Sequence, residues 1–266
     1  MRFVHISDTH IGPTADFSHY GHAPLPNLEF IVDAVNALRF PVDFVLHGGD
    51  VVEDGSEEAY RLAQRALSRL RVPVLYVAGN HDNPPALQRI ILGKEPSQER
   101  MDYATVVDGI HVVVLDTRGP QDPTGMLTNH QITRLREICT PKGPPLVIAL
   151  HHPPLDLDCL WLAVGWATPE GRKPTMLLDQ GPAFLEALSP ARERIRGVFF
   201  GHVHRSYQIM HRGILFSSAP SGFAQLLTWP DADYPNASPD EPAGFSLVTI
   251  DQDKTTISQH ALPRPR

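Results

Sequence analysis

The chain opens with Arg2-Phe3-Val4-His5-Ile6-Ser7 and passes at once into Asp8-Thr9-His10. An apolar strand that stops at a carboxylate and an imidazole is an element whose end carries chemistry. The arrangement recurs downstream. Leu28, Ile31, Val32, Val35 and Leu38 fall at helical spacing over 27–39, and Pro41 closes that helix. Asp43-Phe44-Val45-Leu46-His47 reads as a second strand and leads to Gly49-Asp50. Leu62, Ala66, Leu67 and Leu70 share one face of a helix over 56–70, and a strand over 72–78 leads to Gly79-Asn80-His81-Asp82. Strand, helix, strand, helix, strand is the pattern of βαβ units and a parallel sheet.

Beyond that third, 103–107 and 110–115 read as a hairpin around Asp108-Gly109. A helix over 128–139, a buried strand over 145–151, a helix over 176–188 and a strand over 196–200 follow. The tail changes character, with short antiparallel strands expected over 205–211, 213–217, 244–250 and 254–260. The fold class is therefore α/β: a four-layer sandwich of two mixed β-sheets flanked by helices. No internal repeat or linker interrupts it, so 1–266 reads as a single domain. Residues 228–243 hold four of the 26 prolines and read as a long surface loop within it.

Bulk properties narrow the function. The 266 residues are 42% hydrophobic and 20% charged, as in ordinary globular proteins. No uninterrupted apolar run reaches the roughly 18 residues of a membrane span, and the N-terminus lacks the pattern of a secretory signal. Two cysteines, Cys139 and Cys159, make no disulfide framework and point to a reducing, cytoplasmic setting. A net charge of −7 argues against nucleic acid as a partner, and Arg61, Arg65 and Arg69 at helical spacing read as a solvated face.

Fourteen histidines are many for this length, and several stand at strand ends. Five segments each follow an expected strand: Asp8-Thr9-His10, Gly49-Asp50, Gly79-Asn80-His81-Asp82, His151-His152-Pro153 and Gly201-His202-Val203-His204. Carboxyl ends of strands share one rim in α/β sheets, so five distant segments converge there. Imidazole with carboxylate suits Mn, Fe, Zn or Co. In extended backbone, Asp8 with His10 and His202 with His204 would each point two ligands the same way. Asp8, His10, Asp50, Asn80, His151, His202 and His204 oversupply one ion. Two ions sharing a carboxylate would use all seven, and their charge would attract phosphate even to an acidic protein.

Together, Asp-x-His, Gly-Asp, Gly-Asn-His-Asp, His and Gly-His-x-His resemble the calcineurin-like metallophosphoesterase superfamily, from about Phe3 to Ser217. Within it the chain looks most like bacterial class III cyclic nucleotide phosphodiesterases and glycerophosphodiesterases. The resemblance implies a metallophosphoesterase fold and two divalent or trivalent ions. Asp8, His10 and His204 would hold one ion, Asn80, His151 and His202 the other, and Asp50 would bridge them. A metal-held hydroxide would attack phosphorus. His81 would act at the phosphoryl oxygens or protonate the leaving alkoxide, with Asp82 holding its loop. Asn80 and His81 would also meet the substrate.

Of the adjacent pair His151 and His152, only one can face the rim, and the family pattern assigns the first. His5 and His47, inside strands, read as core histidines or supports for ligands. His111, His130, His211 and His260 read as surface or sheet residues. His19, Tyr20 and His22 read equally as pocket lining or plain loop. The apolar stretch 155–175, with Leu157, Leu160, Trp161, Leu162, Val164 and Trp166, reads as a cap or substrate loop, a subunit contact or simply core. Residues 218–243, with Phe223, Trp229 and Tyr234, read the same way. The expected activity is hydrolysis of a small phosphodiester: a cyclic nucleotide, glycerophosphodiester or phosphonate monoester. The rivals are a phosphomonoesterase, a nuclease and a catalytically silent binding module, and a homo-oligomer is compatible with all of them.

Overall fold

The computed structural model describes residues 1–96 and 100–263. From the N-terminus come β1 (Arg2–Ile6), α1 (Pro24–Asn36), β2 (Phe44–His47), α2 (Glu57–Leu67) and β3 (Val74–Tyr76). A short helix α3 (Pro84–Ala86) runs into a π-helical turn, Leu87–Ile91. Next come β4 (Tyr103–Val107), β5 (Ile110–Val114), α4 (Asn129–Ile138), β6 (Leu146–Ala149) and α5 (Leu160–Val164). The remainder comprises β7 (Ala167–Thr168), β8 (Gly171–Arg172), α6 (Gly181–Leu188), β9 (Ile195–Phe200), β10 (Gln208–His211), β11 (Ile214–Ser218), β12 (Gly244–Asp251) and β13 (Lys254–Ala261).

The strands form two large mixed sheets, ordered β13-β12-β1-β2-β3 and β10-β11-β9-β6-β5-β4, and a separate β7-β8 ribbon. Alternation along each strand builds the layers. Phe3, Phe44 and Leu46 of the first sheet meet Val112, Val147, Ala149 and Phe199 of the second in one buried core. The opposite faces are covered by helices. Val4, Ile6 and Val45 pack with Leu28, Ile31 and Val32 of α1 and Tyr60 and Ala63 of α2. Leu146, Ile148, Val198 and Phe200 pack with Ile132 and Leu135 of α4 and Phe184 and Leu188 of α6. The order is helix, sheet, sheet, helix, as the sequence predicts.

Local chemistry sets the helix ends. Ser56 caps α2 by accepting from the Ala59 N–H, and Glu57 and Glu58 complement its first turn. Thr128 and Gln131 form a reciprocal capping box at α4. Asp108 and Gly109, at φ 50° and 74°, make the expected hairpin turn.

Several boundaries differ from expectation. The helix expected over 176–188 begins only at Gly181. Residues 176–180 form a bend, an isolated bridge at Leu178 and a turn, held by Leu178 N–H donating to Pro153 O and Gly125 N–H to Leu177 O. The tail is not purely antiparallel: β11 pairs in parallel with β9, Phe216 opposite Val198. Asp8-x-His10 and His202-x-His204 are not extended. All four residues have positive φ, between 46° and 74°.

Candidate metal centre

The carboxyl ends of β1, β2 and β3 from one sheet, and of β6 and β9 from the other, open onto one rim. Backbone hydrogen bonds lash their loops together. Asp8 N–H donates to Gly49 O (3.0 Å), His10 N–H to Asp50 O (3.1 Å) and Gly201 N–H to His151 O (3.1 Å). The side chains converge through left-handed backbone at Asp8, His10, Asp50, His202 and His204. Non-glycine residues seldom adopt this conformation, and its concentration here marks loops shaped for a site. Gly79 is required by close approach: a Cβ there would lie 2.1 Å from Asp50 Oδ1.

All seven expected ligands come together. Asp8, His10 and His204 form one buried group and Asp50, His151 and His202 another, with ligand atoms in each within 4.8 Å of one another. Asn80 Oδ1 lies 3.2 Å from His151 Nε2. Asp50 Oδ2 stands between the groups, 3.1 Å from His151 Nε2 and 3.6 Å from His10 Nε2. Each group draws on both sheets: Asp8 and His10 face His204, and Asp50 faces His151 and His202.

The imidazoles test whether these residues suit cations. His151 Nδ1–H donates to Gly48 O (2.7 Å), His204 Nδ1–H to Ala224 O (3.1 Å) and His202 Nε2–H to Pro123 O (3.0 Å). His10 Nδ1–H donates to Glu53 Oε2 (2.6 Å). A carbonyl or carboxylate can only accept, so each of these rings, when neutral, turns its other nitrogen inward as a lone pair. Those inward nitrogens face each other: His10 Nε2 and His204 Nε2 at 3.0 Å, His202 Nδ1 and His151 Nε2 at 3.1 Å. Lone pairs so close repel unless positive charge lies among them. The residues therefore fit metal ions, with the outer hydrogen bonds typical of metal-bound histidine.

Electrostatics agrees. Burial would lower His151, but the Asp50 carboxylate raises it to about 9, so that with no other cation present a proton takes the place of positive charge on the inward nitrogen. Asp50 is penalised by burial, yet His151, His81 and His10 hold it well below the usual carboxylate range. The rim is a negative centre that gathers positive charge.

His81 stands at the edge of this group. Its Nδ1–H donates to Glu53 O (2.7 Å), and its own backbone N–H to Asp50 Oδ1 (2.9 Å). Burial alone would lower its pKa; Asp50 and Glu53 outweigh that and raise it. Asp82, grouped with His81 in the sequence reading, does not line the cavity. It is buried behind the loop, accepting from Gly79 N–H, Val51 N–H and the Tyr60 hydroxyl. Burial and the nearby Asp50 charge push its carboxyl up to about 6.

His152 is fully buried against His202, with Nδ1 2.8 Å from Thr117 Oγ1. His47 bonds Thr9 Oγ1 through Nε2 (3.0 Å), and His5 lies between the sheets with neither ring nitrogen partnered among the described residues. Three contributors carried no signal in the sequence. Glu53 orients His10, Pro123 O orients His202, and Asp122 accepts from Asn80 Nδ2 (2.7 Å) and so turns Asn80 Oδ1 to the site.

A cavity of about 260 Å³ opens over the rim. His19, Tyr20, Phe223, Leu226 and Pro235 line it, as do Trp161, Trp166, Lys173 and Met176. Trp229 and Tyr234 are exposed instead. Arg61 and Arg69 pair with Glu57 and Asp33 on the surface, as a solvated face should. Cys139 and Cys159 are buried free thiols.

Two sheets with a carboxylate–imidazole nest at their shared rim define a phosphoesterase architecture that works with metal ions. The chain belongs to the calcineurin-like phosphoesterase family, whose model matches residues 1–206. It is 30% identical over 223 residues to a cAMP/cGMP dual specificity phosphodiesterase of Mycobacterium tuberculosis, covering 81% of this chain and 65% of that relative's length. It is 26% identical over 235 residues to a glycerophosphodiester phosphodiesterase of Enterobacter lignolyticus, covering 85% of this chain and 79% of that one. A purple acid phosphatase of yellow lupin shares the fold, with TM-score 0.62 and 15% identity over 98% of this chain and 51% of that one. Among the described residues, no helix is long and apolar enough to cross a membrane.

Proposed function

We propose that the chain hydrolyses small phosphodiesters with two divalent or trivalent ions drawn from Mn, Fe, Zn and Co. The observation that carries this is the pair of inward imidazole-nitrogen contacts, His10 with His204 and His151 with His202, on either side of Asp50. In this reading Asp8, His10 and His204 would hold one ion and Asn80, His151 and His202 the other, with Asp50 serving both. Bound ions would supply charge for the phosphoryl oxygens and a water acidified towards neutrality.

The chain's own groups do the rest. Asn80 is a neutral oxygen ligand, so it adds no negative charge facing the phosphate. His81, with Nδ1–H held by Glu53 O, turns Nε2 to the cavity and, protonated, gives that proton to the departing alkoxide. Its raised pKa supports the role. Asp82 acts at a distance, by holding the loop that carries Asn80 and His81. Segments 155–175 and 218–243 wall the substrate, and 1–266 works as one domain. The relatives' phosphodiesterase names support a diester over a monoester. The free thiols support a reducing cytoplasm, and the net charge of −7 supports a small substrate over nucleic acid.

The test loads purified protein with Mn, Fe, Zn or Co and compares bis-p-nitrophenyl phosphate with p-nitrophenyl phosphate. Diester turnover about tenfold or more above monoester turnover is expected. Equal or greater monoester turnover overturns the diester reading. No turnover of either, with metal binding seen by calorimetry, makes the chain a binding module.

A further inference from the structure

We infer that Trp166 and Lys173 select the organic arm of the substrate, and that this arm is an uncharged planar ring bearing hydrogen-bond acceptors. The inference rests on the phosphodiesterase reading and concerns the part of the cavity lining that 160–176 supplies.

That wall is built by 160–176. Trp161 on α5 is fully buried, and its Nε1–H donates to Leu227 O (3.0 Å), which fixes the ring. Trp166 stands edge-on to it, with centroids 5.8 Å apart and planes at 89°. The β7–β8 ribbon then returns the chain, and Lys173 N–H donates to Trp166 O (2.8 Å). Gly165 makes the crossing possible: its φ is +74°, and a Cβ there would lie 2.0 Å from Lys173 O. Lys173 is thus placed by backbone beside an indole. Met176 lines the same apolar side.

With Trp161 buried behind it, the half-buried Trp166 indole favours either a stacked planar ring or a quaternary ammonium. Lys173 decides between them. Among the described residues it is the only Lys or Arg lining the cavity, and no ion pair or side-chain hydrogen bond engages its ammonium. An ammonium donates and never accepts, and it repels a second cation. The carboxylates that could offset it are engaged elsewhere, Glu53 by His10 and Asp122 by Asn80. An aliphatic polyol would gain little from the Trp166 indole. A ring with carbonyl or ring-nitrogen acceptors would use both the Trp166 indole and the ammonium.

The experiment compares cyclic GMP with glycerophosphocholine on metal-loaded full-length protein. Wild type should favour cyclic GMP by about tenfold or more in kcat/KM. Lys173→Met should raise KM for cyclic GMP about tenfold at unchanged kcat, and should improve glycerophosphocholine. Trp166→Ala should raise the same KM and abolish quenching of tryptophan fluorescence by GMP. Preference for glycerophosphocholine, or equal KM shifts for both substrates in the two variants, would overturn the assignment. If wild type hydrolyses no diester, the phosphodiesterase reading fails by itself. The wall is then judged by GMP quenching, whose persistence in Trp166→Ala would reject it.

Discussion

His10 donates from Nδ1 to Glu53 Oε2 over 2.6 Å, which leaves Nε2 of the same ring 3.0 Å from His204 Nε2. One outer hydrogen bond therefore sets both the tautomer and the aim of an inner ligand. Glu53→Gln keeps the shape but weakens the acceptor. It should reduce manganese affinity by about 10–100-fold in a calorimetric titration, with the fold unchanged. Wild-type affinity in this variant would show that His10 is oriented by other contacts.

Asp50 and His81 should separate on mutation. Asp50→Ala removes the carboxylate between the two groups and should abolish metal occupancy and turnover together. His81→Ala should keep its metals and lower turnover of an alkyl diester by about 10²–10⁴-fold. With nitrophenyl esters, whose leaving group needs little protonation, the loss should be much smaller. An equal loss for both esters would remove His81 from the role of proton donor.

Tyr60 bridges Asp82 and the next turn: its hydroxyl donates to Asp82 Oδ1 (2.9 Å) and accepts from Asn83 N–H (2.7 Å). Tyr60→Phe strips a partner from both. We expect a loss of about 1–3 kcal/mol in urea unfolding. A change below about 0.5 kcal/mol would mean that these groups find other partners.

Acid should act on the interior through His5. Burial lowers its pKa to about 3, against about 6.5 in the unfolded chain. As pH falls, the unfolded chain takes the proton first. The contribution to stability is therefore full above about 6.5 and is lost progressively towards about 3. Between about pH 7.5 and about pH 5.5, wild type should lose about 1.4 kcal/mol relative to His5→Leu. A gap between the two that does not vary with pH would mean that His5 stays neutral in both states or is charged in both.

Much of the architecture was legible because long amphipathic elements announce their period. Leu28, Ile31, Val32 and Val35 marked α1, and Asp8, Asp50, Asn80, His151 and His202 stood where strands stop. What escaped is held by tertiary contact. Helix α5 is too short to show periodicity and is fixed by Trp161 N–H donating to Ala232 O and Thr175 Oγ1–H to Leu162 O. Glu53 and Asp122 matter only through where the loops carry them. The i, i+2 argument for Asp8 and His10 assumed extended backbone, whereas the crowding of five loops at one rim bends both residues into left-handed turns.

Because each ligand group takes members from both sheets, an ion bound there would join the halves of the sandwich like a clasp across a seam. Folding and loading would then be linked, so that cation concentration tunes resistance to heat and chelation loosens the join as it silences the chemistry.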